Sequence, residues 1–268
     1  MKPPGGRRRF ALGSALMGVA LVLTACGSHP ASKAAATPAG TGRLDGSLEV
    51  FAAASLTGAF NGAKTSLAGT NPGLHLSYSF GGSNTLVTQI LQGAPADVFA
   101  SADNANMQKL VAAGTVDAPV TFARNKLEIA VSPGNPKHIT SLADLAKPGV
   151  SVVLEAVGVP AGDYTRSILA KGGLSLTPKS LETDVKSAIA KVASGDADAT
   201  VVYVTDVTAA GKSVTGVSVP DTDQPAITYP IAVIKASKNQ AAAQAFVASS
   251  VSGEVQKALE AAGFSPPG

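Results

Sequence analysis

The chain has 268 residues, 45% hydrophobic and 15% charged, with 21 Lys and Arg, 18 Asp and Glu, one Cys and no Trp. One Cys excludes an internal disulfide framework and a thiolate metal cluster, so a packed core must carry stability. Lys2, Arg7, Arg8 and Arg9 crowd the start; the remaining 17 basic residues face 18 acidic ones, a balance that argues against holding nucleic acid or another polyanion by bulk charge.

The basic start is followed by an apolar run from Ala11 to Leu23, shorter than the roughly 20 residues a spanning helix needs. This is the pattern of a signal peptide, predicted over 1–25. Its end, Leu23-Thr24-Ala25-Cys26, resembles the bacterial lipobox, in which the Cys thiol receives a diacylglyceryl group before cleavage makes it the first residue. Cys26 is therefore the expected lipidation site, and the outer face of the cell membrane the expected location. Arg7-Arg8-Arg9-Phe10 leaves the twin-arginine export route open beside the general one. Residues 26–45, rich in Ser, Ala, Pro, Gly and Thr, lack the large apolar side chains needed to fold and read as a flexible tether.

From Ser47 onward, about 220 residues alternate short apolar strands with helical patterns, which predicts an α/β fold of one large or two small domains. A core of Val, Ile, Leu and Ala suits strands buried on both faces. Strands are expected over Leu48–Ala52, Leu74–Phe80 and Asp97–Ala100. Each leads into a helix: one from Leu56 with Ser55 as N-cap, one after Gly81-Gly82-Ser83 that stops at Gly93, and one around Met107–Ala113 ended by Gly114. Lys126–Val131 is a longer strand at which a change of domain is plausible. A second unit follows: strand Ser151–Leu154, helices Pro160–Lys171 and Asp184–Ser194, and the buried strand Thr200–Val204. Thr228–Ile234 is extended again, and helices near 239–249 and 253–262 are placed to pack back on the first unit.

In open α/β sheets ligands sit beyond the carboxyl ends of strands. Ser55 and Ser83 stand there, at helix starts whose unpaired N–H groups and partial positive charge suit an anion without Lys or Arg. Ordinary N-capping explains either Ser equally well.

The string Phe51-Ala52-Ala53-Ala54-Ser55-Leu56-Thr57 resembles the first binding loop of bacterial molybdate-binding proteins of ABC transporters. Gly93-Ala94-Pro95-Ala96-Asp97-Val98-Phe99-Ala100-Ser101-Ala102-Asp103 is similar to that family's most recognisable stretch. Val159-Pro160-Ala161-Gly162, Asp184-Val185 and Val202-Tyr203 follow in family order, so the resemblance runs from Leu48 to Phe264. It implies the type II periplasmic-binding-protein fold: two lobes, each a mixed sheet flanked by helices, joined by a two-stranded hinge. Lobe 1 would comprise 46–125 plus 232–268, and lobe 2 would comprise 126–231. It further implies a monomer that clamps molybdate, and tungstate with it, uses no cofactor, meets the metal only as an oxyanion, and delivers it to a permease driven by an ATPase. By correspondence with the family, Ser55 and Ser83 donate from the first lobe, Ala161 and Val185 through backbone N–H from the second, and Tyr203 through its phenol. Ser79 and Asn84 are neighbouring candidates in the second loop. Without the family, Ala161 and Val185 read as helix-start packing and Tyr203 as a buried strand tyrosine.

An enzyme is the rival from another class, but no Gly-x-Ser-x-Gly elbow or His-Glu-x-x-His pair is present and His29, His75 and His138 are scattered. Gly211-Lys212-Ser213 imitates the end of a P-loop, yet Asp206 stands where its first Gly belongs. Asp196-x-Asp198 lacks the Gly and Glu of a calcium loop. A binding protein of the same fold for sulfate, phosphate or a small organic anion is the nearer rival. A protonated phosphate would want a carboxylate in its cage, and none is evident at the turns; Asp163 reads as a helix-start charge and Asp206 as a cap.

Overall fold

Leu48, Val50 and Ala52 alternate with Phe51 along a run that is apolar on both faces, as a strand covered by helices on both sides must be. They form β1 (Gly46–Ala53). The computed structural model describes residues 44–268, so the expected signal peptide, Cys26 and most of the expected tether lie outside the described residues. β1 pairs in parallel with β2 (Leu74–Gly81) on one side and β3 (Val98–Ala100) on the other. The sheet continues through β10 (Ile227–Val233), antiparallel to β3, and ends at β4 (Val120–Asn125). One face carries Phe60, Tyr78 and Phe246, with Phe60 edge-on to Phe246 at 5.6 Å, under α1 (Thr57–Thr70) and α7 (Gln240–Ser252). The other buries Phe51, Phe99, Met107 and Leu110 beneath α2 (Ser83–Leu91) and α3 (Asn104–Ala112). α8 (Glu254–Ala261) packs on α1, as the sequence led us to expect.

The chain passes directly from β4 through Lys126 into β5 (Leu127–Val131), the centre of a second sheet between β8 (Ala199–Tyr203) and β9 (Thr215–Ser218). β6 (Val153–Glu155) and β7 (Ser180–Glu182) pair in parallel, and a bridge from Val152 to Ala199 ties them to β8. α4 (Pro160–Lys171), α5 (Val185–Ala193) and α6 (Val204–Ala210) follow β6, β7 and β8 in turn. Two mixed α/β lobes result, linked by two crossings of the chain. At the crossings the Gln224 amide bonds both the N–H and the carbonyl of Leu127, each at 2.8 Å, and Lys126 pairs with Asp221 at 2.8 Å.

Several expectations need correction. Residues 227–231, assigned above to the second lobe, pair with β4 and β3 in the first sheet, because β10 is one unbroken strand from Ile227. Ser55 is not an N-cap: it sits inside a 3-10 turn, Ala54–Leu56, that precedes α1 and lacks a side-chain cap. The third helix begins at Asn104, earlier than its apolar residues suggest, because Asp103 caps it by accepting from Asn106 N–H at 2.8 Å. Asp206 is no cap either; it lies in the first turn of α6 and is buried.

Candidate functional site

β1, β2 and β3 of the first lobe and β6, β7 and β8 of the second all end toward the cleft, and each runs into a turn that opens a helix. The cavity there has a volume of about 20 Å³. Its walls are Ala53, Ala54 and Ser55 after β1, Gly81, Gly82 and Ser83 after β2, and Ala102 after β3. From the second lobe come Val159, Pro160 and Ala161 before α4, Asp184 and Val185 at α5, and Tyr203 at the end of β8. Every wall residue is thus at a strand's carboxyl end or a helix start, as expected of a ligand crevice in α/β folds. Ser55, Ser83, Ala161, Val185 and Tyr203, far apart in sequence, all line this one cavity.

The helix starts supply free donors because the first N–H groups of a helix precede its hydrogen-bond ladder. In α2 the first such bonds are Thr85 and Leu86 N–H to the Gly82 carbonyl, at 3.0 and 3.1 Å, which leaves the Ser83 and Asn84 N–H groups ahead of the ladder. In α4 the first is Asp163 N–H to the Val159 carbonyl at 3.0 Å, leaving Ala161 and Gly162; Pro160, the first residue, has no N–H to lose. In α5 the Asp184 side chain accepts from Ser187 N–H at 2.9 Å, leaving Val185 and Lys186. Three helix starts with their partial positive charge therefore meet at one cavity.

Hydroxyls complete the lining. Ser83 Oγ, with no solvent exposure, accepts from Ala102 N–H at 3.1 Å, which orients it and leaves its own proton to give. Ser55 Oγ lies 3.1 Å from the Tyr229 hydroxyl. The Tyr203 hydroxyl is buried and has no hydrogen-bond partner among the described residues. Burial raises the Tyr203 phenol well above its ordinary pKa, so it stays a donor. A buried unpaired hydroxyl costs about 1–3 kcal/mol, a cost that a ligand accepting its proton would remove. Tyr229, edge-on to Tyr203 at 5.6 Å and to Phe264 at 5.3 Å, joins the two lobes behind the cavity.

None of the described residues lining the cavity is Lys or Arg. One carboxylate does line it: Asp184, which corrects the expectation that none stands at these turns, although its Oδ1 serves the N–H of Ser187 in its own helix. Of the second-loop alternatives, Ser79 donates to Glu49 Oε1 at 2.8 Å and Asn84 leans toward Gly158; neither lines the cavity. Asp163, as expected, holds a helix start, accepting from Gly158 N–H at 3.0 and 3.1 Å. The roles of Ala102 and Tyr229 were not visible in sequence, since each acts through a partner distant along the chain.

Two α/β lobes joined by two crossings, with a small cavity of neutral donors between them, define a two-lobed binding protein that closes on a small solute. A family model described as bacterial extracellular solute-binding protein matches residues 48–265, and the chain belongs to that family. It is 41% identical over 264 residues to the molybdate-binding protein ModA of Mycobacterium tuberculosis H37Rv, covering 97% of this chain and 100% of that one. Among solved structures it is similar to the substrate-binding domain of a putative molybdenum ABC transporter from Clostridium difficile, at 31% identity and a TM-score of 0.62 over 82% of this chain and 98% of that one. It also shares the fold of the periplasmic molybdate-binding protein of Azotobacter vinelandii, with a TM-score of 0.74 and 23% identity over 82% of this chain and 100% of that one.

Proposed function

We propose that this protein captures molybdate between its lobes outside the cytoplasm and hands it to the permease and ATPase of an ABC transporter. The observation that carries the reading is the convergence of donors from both lobes, Ser55 and Ser83 with Ala161, Val185 and Tyr203, on one small cavity. Neutral donors held in place suit an oxyanion: each hydrogen bond to a charged group contributes roughly 1.5–3 kcal/mol, and several together offset the dianion's desolvation. Since only the closed arrangement presents both sets, the anion shifts the population toward closure, and the permease can tell loaded protein from empty. Tungstate, of the same charge and nearly the same size, binds as well. The ligand is a substrate in transit, with no catalysis on it, and the protein acts as a monomer. Lipid on Cys26 holds it to the outer face of the membrane.

The Asp184 carboxylate in the lining favours one second reading, a singly protonated phosphate donating to it. Thermal unfolding with molybdate, tungstate, sulfate and phosphate separates the two. Saturable stabilisation by molybdate and tungstate, with much weaker effects of sulfate and phosphate, is expected. Stabilisation by phosphate or sulfate alone would overturn the assignment.

A further inference from the structure

Asn106 touches no part of the cavity, yet it is 1% exposed and its amide is fully used. Its Nδ2 donates to Asp103 Oδ2 at 2.9 Å and to the Gly158 carbonyl at 3.1 Å, while its Oδ1 accepts from Lys109 Nζ at 2.8 Å. Asp103 and Lys109 belong with Asn106 to α3 and its cap in the first lobe; Gly158 belongs to the turn before α4 in the second. The amide is therefore oriented from one lobe and spent on the backbone of the other.

The receiving turn is stiff. Gly158 has φ +88°, a conformation glycine adopts readily, and its N–H is held by the Asp163 carboxylate inside the first turn of α4. The carbonyl that Asn106 grips is thus tied to the helix start that carries the Ala161 and Gly162 N–H groups. Asn84 of α2 approaches the same glycine, so the turn is flanked by two amides of the first lobe.

We propose that Asn106 is a positioning residue for anion capture, which fixes the start of α4 over the anion through the Gly158 carbonyl and makes that bond only when the lobes are closed. The inference rests on the anion-capture reading. Apparent affinity scales with the fraction of protein able to close, so a bond present only in the closed state raises affinity without touching the ligand.

The test is molybdate binding to wild type, Asn106→Ala and Asn106→Asp, with affinity from calorimetry and dissociation followed by chasing bound radioactive molybdate with excess unlabelled anion. Asn106→Asp keeps the volume and the Lys109 partner but removes the donor to Gly158 and to Asp103, whose carboxylate it then faces. Both variants are expected to bind about tenfold more weakly, nearly all of it in faster dissociation. The molybdate-to-tungstate preference stays as in wild type, while the empty protein melts somewhat lower because the Asn106 bond to Asp103 within the first lobe is lost too. Wild-type dissociation rates in both variants overturn the proposal, as does a lowered melting temperature of the empty protein with no change in dissociation. Failure of the wild-type protein to bind molybdate overturns the anion-capture reading instead.

Discussion

Glu155 ends β6 with no solvent exposure, and neither carboxylate oxygen has a hydrogen-bond partner among the described residues. Asp206 of α6, Arg166 of α4 and Asp184 before α5 are the charged groups around it. Burial first, with Asp206 adding in the same direction, pushes its pKa from 4.5 to about 8. Asp206 is itself raised to about 6 by burial, although Lys186 Nζ stands 3.3 Å from its Oδ1. An acid whose native pKa exceeds its unfolded one binds more protons folded than unfolded between the two values. The fold therefore loses stability from Glu155 as pH rises from 4.5 to about 8, and the loss is level above and absent below that window. Glu155→Gln, neutral throughout, should melt close to wild type at pH 4 and roughly 5 °C or more above it at pH 8. Equal melting temperatures at pH 8 would show that Glu155 finds a partner when ionised. No role for Glu155 could be read from its sequence, because a carboxylate's burial depends on the helices folded over it.

At the scale of elements, the start of α2 lies directly against the turn before α5. Gly82, its N-cap, has φ −60° and ψ 135°, which alanine adopts freely, but an added Cβ would stand 2.5 Å from the Thr183 carbonyl in the turn before α5. Gly82→Ala should leave the empty protein as stable as wild type and weaken molybdate binding tenfold or more, since the two turns cannot meet; calorimetry against melting of the empty protein measures both. Unchanged affinity would mean that the lobes close less tightly than here. The βα starts that build the site were legible in sequence because Gly, Ser and Pro punctuate them, and Pro160–Lys171 was read to the residue. β7 and β9 were missed: Ser180–Glu182 and Thr215–Ser218 are too short for a period to show. α6 was missed because it opens on Val204 directly after the strand residues of β8. Of the site, Ser55 and Ser83 were visible as residues, whereas Ala161 and Val185 offer only backbone N–H and could be found by resemblance alone.

For the whole molecule, the five proposed anion donors all lie within residues 44–268, and the proposed anchor lies outside them. Anchoring and capture should therefore separate. Cys26→Ser is expected to move the protein from the membrane to the soluble fraction and abolish labelling by radioactive fatty acid, with molybdate affinity unchanged. Membrane retention of that variant would point to another means of attachment. The two-lobed plan came from the family resemblance, but the return crossing was placed too late, since nothing in Thr228–Ile234 tells which sheet receives it.

The crossings are tied by side chains, the Gln224 amide on Leu127 and Lys126 on Asp221, where a continuous ladder of backbone bonds would have made a stiff beam. A few torsions near 125–127 and 219–226 can then take up the whole swing, as a door turns on its pin. Under the proposed capture cycle, movement about such a pivot would keep the two faces in register, so that the same turns meet again at each closure.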